Sequence, residues 1–186
     1  MAHNTVAVCF GSLAQRNSVS RNTIEKFLDA VPQTPETLMV FDINLRQHFY
    51  SKEIIENSLK RSNILKINDE ELVIVAKMFE VQSDDVYQQC RWFIQKYGLK
   101  LVILTCGAKG SIVVTPDKEF HAATPKVDVA DTVGAGDSFT AAFTASLLKG
   151  KSIEEGHALA SSLATYVCTQ HGAMPELPDE FKKALL

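Results

Sequence analysis

The stretch DTVGAGDSFTAAFTASLLKG, residues 131–150, places a turn of small residues directly before a long apolar run. The apolar run predicts a helix over residues 135–149. The small turn leaves backbone N–H groups bare at the positive end of this helix, where they can converge on an anion. Asp137 follows in the first helical turn, where the helix dipole alone favours a carboxylate. The stretch therefore fits either an anion-binding loop with a base beside it or an ordinary helix start.

Short β-branched runs alternate with amphipathic segments along the rest of the chain. We predict strands at residues 5–10, 37–44, 63–68, 100–106 and 111–115. We predict helices at about 21–31, 51–61, 69–79, 83–97, 135–149 and 153–169, with N-caps at Ser51, Asn68, Ser83 and Ser152. This alternation predicts an α/β fold with a largely parallel sheet, in which ligands bind at the carboxyl ends of the strands.

The composition is that of an ordinary globular chain, with 46% hydrophobic content in 186 residues. We therefore expect one sizeable core and a single α/β domain over residues 1–186. The net charge of -3 supplies no basic surface, which argues against nucleic acid and anionic membranes as partners. The four cysteines are far apart among apolar neighbours, so we expect reduced, buried thiols. With no signal-peptide or membrane-span pattern, we expect a cytoplasmic protein.

Three further polar segments follow predicted strands: DINLR at 42–46, KINDEE at 66–71 and TCGAKG at 105–110. Together with the turn before the long helix, they are expected to face one crevice at the carboxyl ends of the strands. Each segment also has an ordinary explanation: a solvated surface arginine, a capping box and a hairpin turn, respectively. The turn matches neither a Walker P-loop nor a GxGxxG motif.

The stretch over residues 131–150 resembles the C-terminal signature of the PfkB (ribokinase-like) family of carbohydrate kinases. The resemblance implies a ribokinase-like three-layer α/β/α fold with a mostly parallel sheet. It implies ATP-dependent phosphorylation of a sugar hydroxyl. In that reaction Asp137 is the base that activates the hydroxyl, and the amides of Gly134, Ala135 and Gly136 form the anion hole for the transferring phosphoryl group.

The strand-end segments extend this resemblance to the phosphate and metal contacts. Asn68 and Glu71 match the family's NxxE element, which helps to hold magnesium and phosphate groups. Lys66 completes a K-x-N-x-x-E pattern that is similar to fructokinase-type members. Arg46 ends a D-x-N-x-R pattern, which implies a guanidinium that reaches phosphate oxygens.

The resemblance assigns further nucleotide and cation contacts. TCGAKG is similar to a T-x-G-x-x-G hairpin beside the nucleotide, which implies contacts from Thr105, Gly107 and Gly110. His157 falls near where the family shelters adenine, although a half-buried packing histidine also explains it. HGAMPELP, residues 171–178, is similar to a C-terminal Gly-Ala close that helps to hold a monovalent cation, such as potassium. By this likeness the cation site includes Asp131 and Thr132.

The resemblance runs from FGSLAQR at residues 10–16 to the C-terminus, and its motifs look most like the fructokinase branch. It departs at the front, because MAHNTVAVCF has no counterpart of the family's Gly-Gly-x-x-x-N sugar motif, first strands or β-lid. We therefore expect the C-terminal, nucleotide-binding and catalytic portion of such a kinase, with fructose as the sugar. The alternative is a truncated kinase-like module that binds nucleotide or a partner without transfer. We also expect homo-oligomerisation or association through an unpaired strand at residues 5–10.

Overall fold

The computed structural model describes residues 2–185, which divide into two compact units. Unit 1 contains the described chain up to Thr105, together with Val114–Lys118. Unit 2 takes in Cys106–Val113 and the chain from Glu119 onward. Each unit carries part of the expected α/β pattern, and each holds some of the candidate site residues. The extent of the predicted single domain stays a prediction.

Four parallel strands form the sheet of unit 1. Each strand pairs with the one that precedes or follows it in the sequence, and every pair is parallel. All residues of the second strand and the first four of the third and fourth are buried, as expected when a parallel sheet is apolar on both faces. The strands are β1 (Ala7–Phe10), β2 (Leu38–Asp42), β3 (Ile64–Asn68) and β4 (Leu101–Thr105).

Four helices connect these strands in unit 1: α1 (Ser18–Ala30), α2 (Lys52–Leu59), α3 (Asp69–Met78) and α4 (Val86–Tyr97). Their amphipathic faces supply buried leucine, isoleucine, valine and phenylalanine side chains to the core. The N-caps predicted at Ser51 and Asn68 are confirmed, because each side chain accepts a backbone N–H three residues later.

The predicted N-cap at Ser83 is wrong. Asp85 caps α4 by accepting the Gln88 N–H at 2.8 Å, and the helix begins two residues later than expected for a Ser83 cap. Ser83 instead accepts the Asp85 N–H at 3.2 Å, within the turn that leads into the helix. Both residues have side chains suited to a cap, so the residue types alone did not separate them.

Unit 2 contains the strand β6 (Glu119–Ala122), all of the strand β5 (Ser111–Val114) except its last residue, and three helices. The helices are α5 (Ala135–Leu148), α6 (Ile153–Cys168) and α7 (Asp179–Leu185). α5 and α6 pack closely at Gly156, where a Cβ would lie 3.1 Å from the Ser146 Cβ. The N-cap of α6 is Ser152, as predicted. Among residues 2–185, no helix is long and apolar enough to span a membrane.

The expected burial of the four cysteines is wrong for three of them. Cys90 is buried, whereas Cys106 and Cys168 are half-buried and Cys9 is exposed. Cys9 lies on β1, and no residue of that strand is buried. Apolar sequence neighbours therefore did not guarantee burial, because β1 is the first strand in the sheet order of residues 2–185 and neither of its faces is buried.

Candidate active-site residues

The loop before α5 is built around Gly134. This residue is the N-cap of α5 and has a φ of +83°, a backbone conformation that favours glycine. A Cβ at this position would lie 2.6 Å from the carbonyl oxygen of Ala173 and 2.8 Å from its Cα. The turn therefore needs glycine for two reasons, its conformation and its close packing against the Ala173 backbone.

Asp137 lies in the first turn of α5, and its side chain is exposed. The first helical bond runs from the Ser138 N–H to the Gly134 carbonyl at 2.8 Å, so the N–H groups of residues 136 and 137 belong to the open end of the helix, whereas the Ala135 N–H donates to the Thr132 carbonyl at 3.3 Å. Gly134, Ala135 and Gly136 are half-buried. The loop thus has the form that the anion-hole interpretation requires: amides at a helix N-terminus with a carboxylate beside them.

Asp131 fastens this loop to the segment after α6. Its carboxylate accepts the Val133 N–H at 3.0 Å and the Gly172 N–H at 3.3 Å, and these two donors hold the pKa of Asp131 below its ordinary value. The Asp131 N–H donates to the Cys168 carbonyl at 3.3 Å. Thr132 is exposed, and its carbonyl accepts the Ala135 N–H at 3.3 Å. Asp131 therefore has a structural role, and the monovalent-cation site stays a prediction.

In unit 1, the carboxylate of Glu71 connects two loops. One oxygen accepts the N–H of Asn68 at 3.0 Å, while the Asn68 side chain accepts the Glu71 N–H at 2.8 Å, which confirms the capping box. The other oxygen accepts the N–H of Leu45 at 2.8 Å, in the DINLR segment. Glu71 is 8% exposed, and both of its oxygens are used by backbone donors.

The DINLR segment after β2 is held from its other side by a serine. The Ser12 hydroxyl is fully buried and donates to the Ile43 carbonyl at 2.6 Å. The Ile43 N–H donates to the Lys66 carbonyl at 3.1 Å, and Asn44 takes a φ of +44° that turns the chain. Arg46 follows with an exposed side chain. The residue types did not reveal Ser12, whose role depends on a contact 31 residues along the chain.

A buried ion pair joins the end of β2 to the middle of β3. The Lys66 ammonium lies 3.1 Å from a carboxylate oxygen of Asp42, and the two residues are paired in the parallel register. Asp42 is 8% and Lys66 9% exposed. Gly11 permits the close approach of its own backbone to the end of β2, because a Cβ there would lie 2.8 Å from the Asp42 carbonyl oxygen. The sequence patterns indicated no role for Asp42 beyond its place in the D-x-N-x-R pattern.

The TCGAKG segment forms one turn of 3₁₀-helix, Gly107–Lys109, between β4 and β5. Gly110 has a φ of +105°, and a Cβ there would overlap the Ala122 carbonyl oxygen, so glycine is required. The Gly107 carbonyl accepts the hydroxyl of Thr124 at 2.9 Å. In unit 1, Thr105 ends β4 beside Asn68 in the register. Nucleotide contact by these residues stays a prediction.

His157 is buried in unit 2 and is 2% exposed. Its Nε2 lies 2.8 Å from the Ser111 hydroxyl, which also lies 3.2 Å from the Ser161 hydroxyl. The ring meets that of Phe139 edge-on, with centroids 5.9 Å apart. Burial, with a smaller effect of His121, lowers the pKa of His157 to about 4, so the imidazole is neutral at pH 7. Packing explains this side chain, and adenine contact stays a prediction.

A sequence profile described as "pfkB family carbohydrate kinase" matches residues 8–180 of the chain. The aminoimidazole riboside kinase of Salmonella typhimurium is 29% identical over 150 residues, which cover 75% of this chain and 45% of that protein. The chain spans about half the length of the curated relatives it matches. The matched residues include every candidate site residue in both units.

Two solved structures have a similar fold. A fructokinase double mutant from Vibrio cholerae O395, with fructose, ADP and potassium bound, has a TM-score of 0.79 at 23% identity, covering 99% of this chain and 61% of that one. A ribokinase from Thermotoga maritima has a TM-score of 0.75 at 25% identity, covering 96% of this chain and 56% of that one. These likenesses confirm the predicted ribokinase-like α/β fold with a mostly parallel sheet.

Proposed function

Because the chain belongs to the pfkB family of carbohydrate kinases, we propose that it carries the nucleotide-binding and catalytic part of a sugar kinase. The proposed reaction transfers the γ-phosphoryl group of ATP to a sugar hydroxyl. The observation that carries this proposal is the loop at Gly134–Gly136, which opens the N-terminus of α5 with Asp137 exposed in its first turn. A carboxylate beside an anion loop repels phosphate, so its presence there needs a functional reason. Accepting a proton from the attacking hydroxyl is such a reason.

In the proposed mechanism, Asp137 takes the proton from the sugar hydroxyl as its oxygen attacks the γ-phosphorus. The new O–P bond forms while the bond from the γ-phosphorus to the β,γ-bridging oxygen breaks, and ADP leaves with that electron pair. The amides of Gly134, Ala135 and Gly136 donate to the phosphoryl oxygens, where negative charge is spread in the transition state. Because the loop is held by Asp131 and packs against Ala173, its backbone is fixed before the substrate arrives, and the Ala135 N–H has only to exchange its 3.3 Å bond to the Thr132 carbonyl for one to phosphate.

The residues of unit 1 are proposed to bind the phosphates of MgATP, the substrate that brings the metal. Lys66 and Arg46 supply positive charge. The hydrogen bond from the Leu45 N–H to the Glu71 carboxylate holds the loop that carries Arg46. Both Glu71 oxygens already accept backbone N–H groups, so its contribution to magnesium is proposed to pass through water molecules. Asn68 holds the start of α3 beside it. Thr105, Gly107, Gly110 and His157 remain proposed nucleotide contacts.

A monovalent cation is also proposed, at Asp131 and Thr132. Potassium is present in the Vibrio cholerae fructokinase structure, which supports such a cation in this family. The Asp131 carboxylate accepts backbone N–H groups at both oxygens, and carboxylate oxygens are ligands that hard cations prefer. This cation would act on the local charge and order of the loop, and no step of phosphoryl transfer depends on it.

Fructose is the proposed acceptor. Its support is the fructokinase-like pattern of FGSLAQR, DINLR and KINDEE, together with a structural neighbour that holds fructose. The relatives also include an aminoimidazole riboside kinase and a ribokinase, so the acceptor class includes furanose sugars and ribosides. A comparison of fructose, ribose and aminoimidazole riboside in one assay therefore decides the substrate.

Two measurements test the proposed function. Calorimetry with MgATP should show binding, and its absence at about 1 mM nucleotide would overturn the nucleotide-binding proposal. A coupled ADP-release assay with fructose should show turnover above that with no sugar. Since the chain spans about half of its curated relatives, binding without turnover would support the alternative, a kinase-like module that binds nucleotide but does not transfer phosphate.

A further inference from the structure

The ion pair between Asp42 and Lys66 places two charges in strands whose other residues, apart from Asn68, are apolar. β2 reads LMVFD and β3 reads ILKIN, and each contains one charged residue. The side chains of Asp42 and Lys66 are each 11% exposed. Removing two charges from water is costly, and well-packed apolar residues at such positions usually stabilise a protein as well or better. Stability therefore gives no sufficient reason for this pair.

The location of the pair suggests a reason. Asp42 is the last residue of β2, and Lys66 lies two residues before Asn68, which caps α3. Ligands of parallel α/β sheets bind at this end of the strands. On one side of the pair, the DINLR segment leads to the exposed Arg46. The pair thus lies among the residues of unit 1 that are proposed to bind phosphate.

We infer that Asp42 is a positioning residue for phosphate recognition, which acts by fixing the direction of the Lys66 ammonium. This inference rests on the proposed function. A lysine has a flexible four-carbon stem and three N–H donors. The contact at 3.1 Å uses one donor for Asp42 and restrains the stem. The other donors are then oriented before a phosphate oxygen arrives, so less rotational freedom is lost on binding.

The distance along the chain explains why this role is not visible in the sequence. Asp42 and Lys66 are 24 residues apart, and only the register of β2 against β3 brings them together. A shift of one residue in that register would place the two side chains on opposite faces of the sheet.

A double-mutant cycle read by MgATP calorimetry tests the inference. Asp42→Asn and Lys66→Met should each weaken binding by about tenfold or more. The double variant Asp42→Asn/Lys66→Met should bind no more weakly than Lys66→Met alone, because Asp42 is expected to act only through Lys66. The double variant should also regain part of the Tm lost in the single variants, since both buried charges are gone. A purely structural role predicts the opposite: binding that recovers together with the Tm.

Asp29→Asn is the matched control, because Asp29 forms an exposed ion pair with Arg61 and should leave binding unchanged. If Asp42→Asn does not fold, Asp42→Glu replaces it; the extra methylene keeps the charge but redirects Lys66, so binding should still weaken several-fold. Unchanged binding in the folded Asp42 variant, or additive losses in the cycle, would overturn the inference alone. Absence of MgATP binding by the unaltered chain would overturn the proposed function, and the inference with it.

Discussion

Gly134 and Gly98 both stand at helix ends with positive φ angles, but their surroundings differ. Gly98 follows α4 with a φ of +67° and has open space where a Cβ would be. Gly134 would place a Cβ 2.6 Å from the Ala173 carbonyl oxygen. We expect Gly98→Ala to lower the free energy of unfolding by about 1 kcal/mol through backbone strain alone. Gly134→Ala should lower it by about 2–4 kcal/mol, because overpacking adds to the strain.

Urea unfolding of the two glycine variants measures this difference directly. In calorimetry, Gly98→Ala should bind MgATP like the unaltered protein, whereas Gly134→Ala should bind it more weakly because the anion loop must shift. Equal losses of stability in the two variants would show that the contact with Ala173 contributes nothing.

Asp137 is the residue on which the proposed transfer depends. Asp137→Asn keeps the size of the side chain but removes the base, so kcat should fall by about 10²–10⁴ while the Kd for MgATP changes little. Asp128→Asn is the control, since Asp128 is an exposed aspartate of the same unit with no proposed role. A coupled ADP-release assay checks both variants. Near-full kcat in Asp137→Asn would show that another group is the base.

At the scale of elements, two helices begin with the same device but use it differently. α3 and α6 both have a capping box, with Glu71 and Glu155 at the third position. Glu155 is exposed and bonds only to its own cap residue, Ser152, among the contacts of the described residues. Glu71 is buried and also accepts the N–H of Leu45, which belongs to the loop after β2. The capping box of α6 stabilises only its own helix, whereas that of α3 also joins the helix to the loop after β2.

Replacing each of these glutamates by glutamine separates the two roles. Glu71→Gln should lower the free energy of unfolding by roughly 1–3 kcal/mol, because glutamine has one acceptor oxygen in place of two and one buried N–H loses its partner. It should also weaken MgATP binding, since the loop that carries Arg46 is released. Glu155→Gln should cost less than about 1 kcal/mol and leave binding unchanged. Urea unfolding and calorimetry provide the two measurements, and equal binding by both variants would contradict the role assigned to the Leu45 contact.

At the scale of the whole molecule, the buried His157 predicts a stability that depends on pH. Its pKa is lowered to about 4 in the folded protein, against 6.5 for an ordinary histidine. The unfolded chain therefore binds a proton first, and stability that is present above pH 6.5 is lost as the pH falls towards 4. Between pH 7 and pH 5 the free energy of unfolding should fall by roughly 2 kcal/mol from this residue.

Urea unfolding at pH 7 and pH 5 checks this expectation in His157→Gln, which should lose most of the difference. His48→Gln is the control, because His48 is exposed and should retain the full pH dependence. The lowered pKa of Asp131 affects the free energy of unfolding only below the range of pH 5–7 compared in this experiment. An unchanged slope in His157→Gln would show that the imidazole does not titrate with unfolding.

The edge of the sheet predicts how the chain behaves at higher concentration. Within residues 2–185, β1 is the first strand in the sheet order and pairs with β2 on one side. An open strand edge is a template for pairing with another chain. We expect self-association at micromolar concentration, measured by light scattering. Cys9→Lys places a charge on the exposed face of β1 and should reduce this association, whereas Cys90→Ser, at a buried site, should not reduce it selectively. A monodisperse monomer would contradict the expectation.

Local patterns were sufficient for much of this protein. The alternation of β-branched and amphipathic runs predicted the five strands β1–β5, in a largely parallel sheet, and the six helices α1–α6, because the periods of a strand and a helix are properties of neighbouring residues. The caps at Ser51, Asn68 and Ser152 were predicted for the same reason, since a cap and its donor are three residues apart. The small turn before α5 was also recognisable, because its glycines and its helix are adjacent in the sequence.

Only the tertiary structure decided the contacts that cross long stretches of chain. β6 was missed because its sequence, EFHA, has no β-branched residue, and α7 because seven residues make only about two turns. Phe181 of α7 packs against Tyr166, a contact that no local pattern indicated. The bonds from Ser12 to Ile43, from Leu45 to Glu71 and from Lys66 to Asp42 join residues 24–31 positions apart. Such pairs depend on which strands are neighbours and on their register, and no local propensity encodes either.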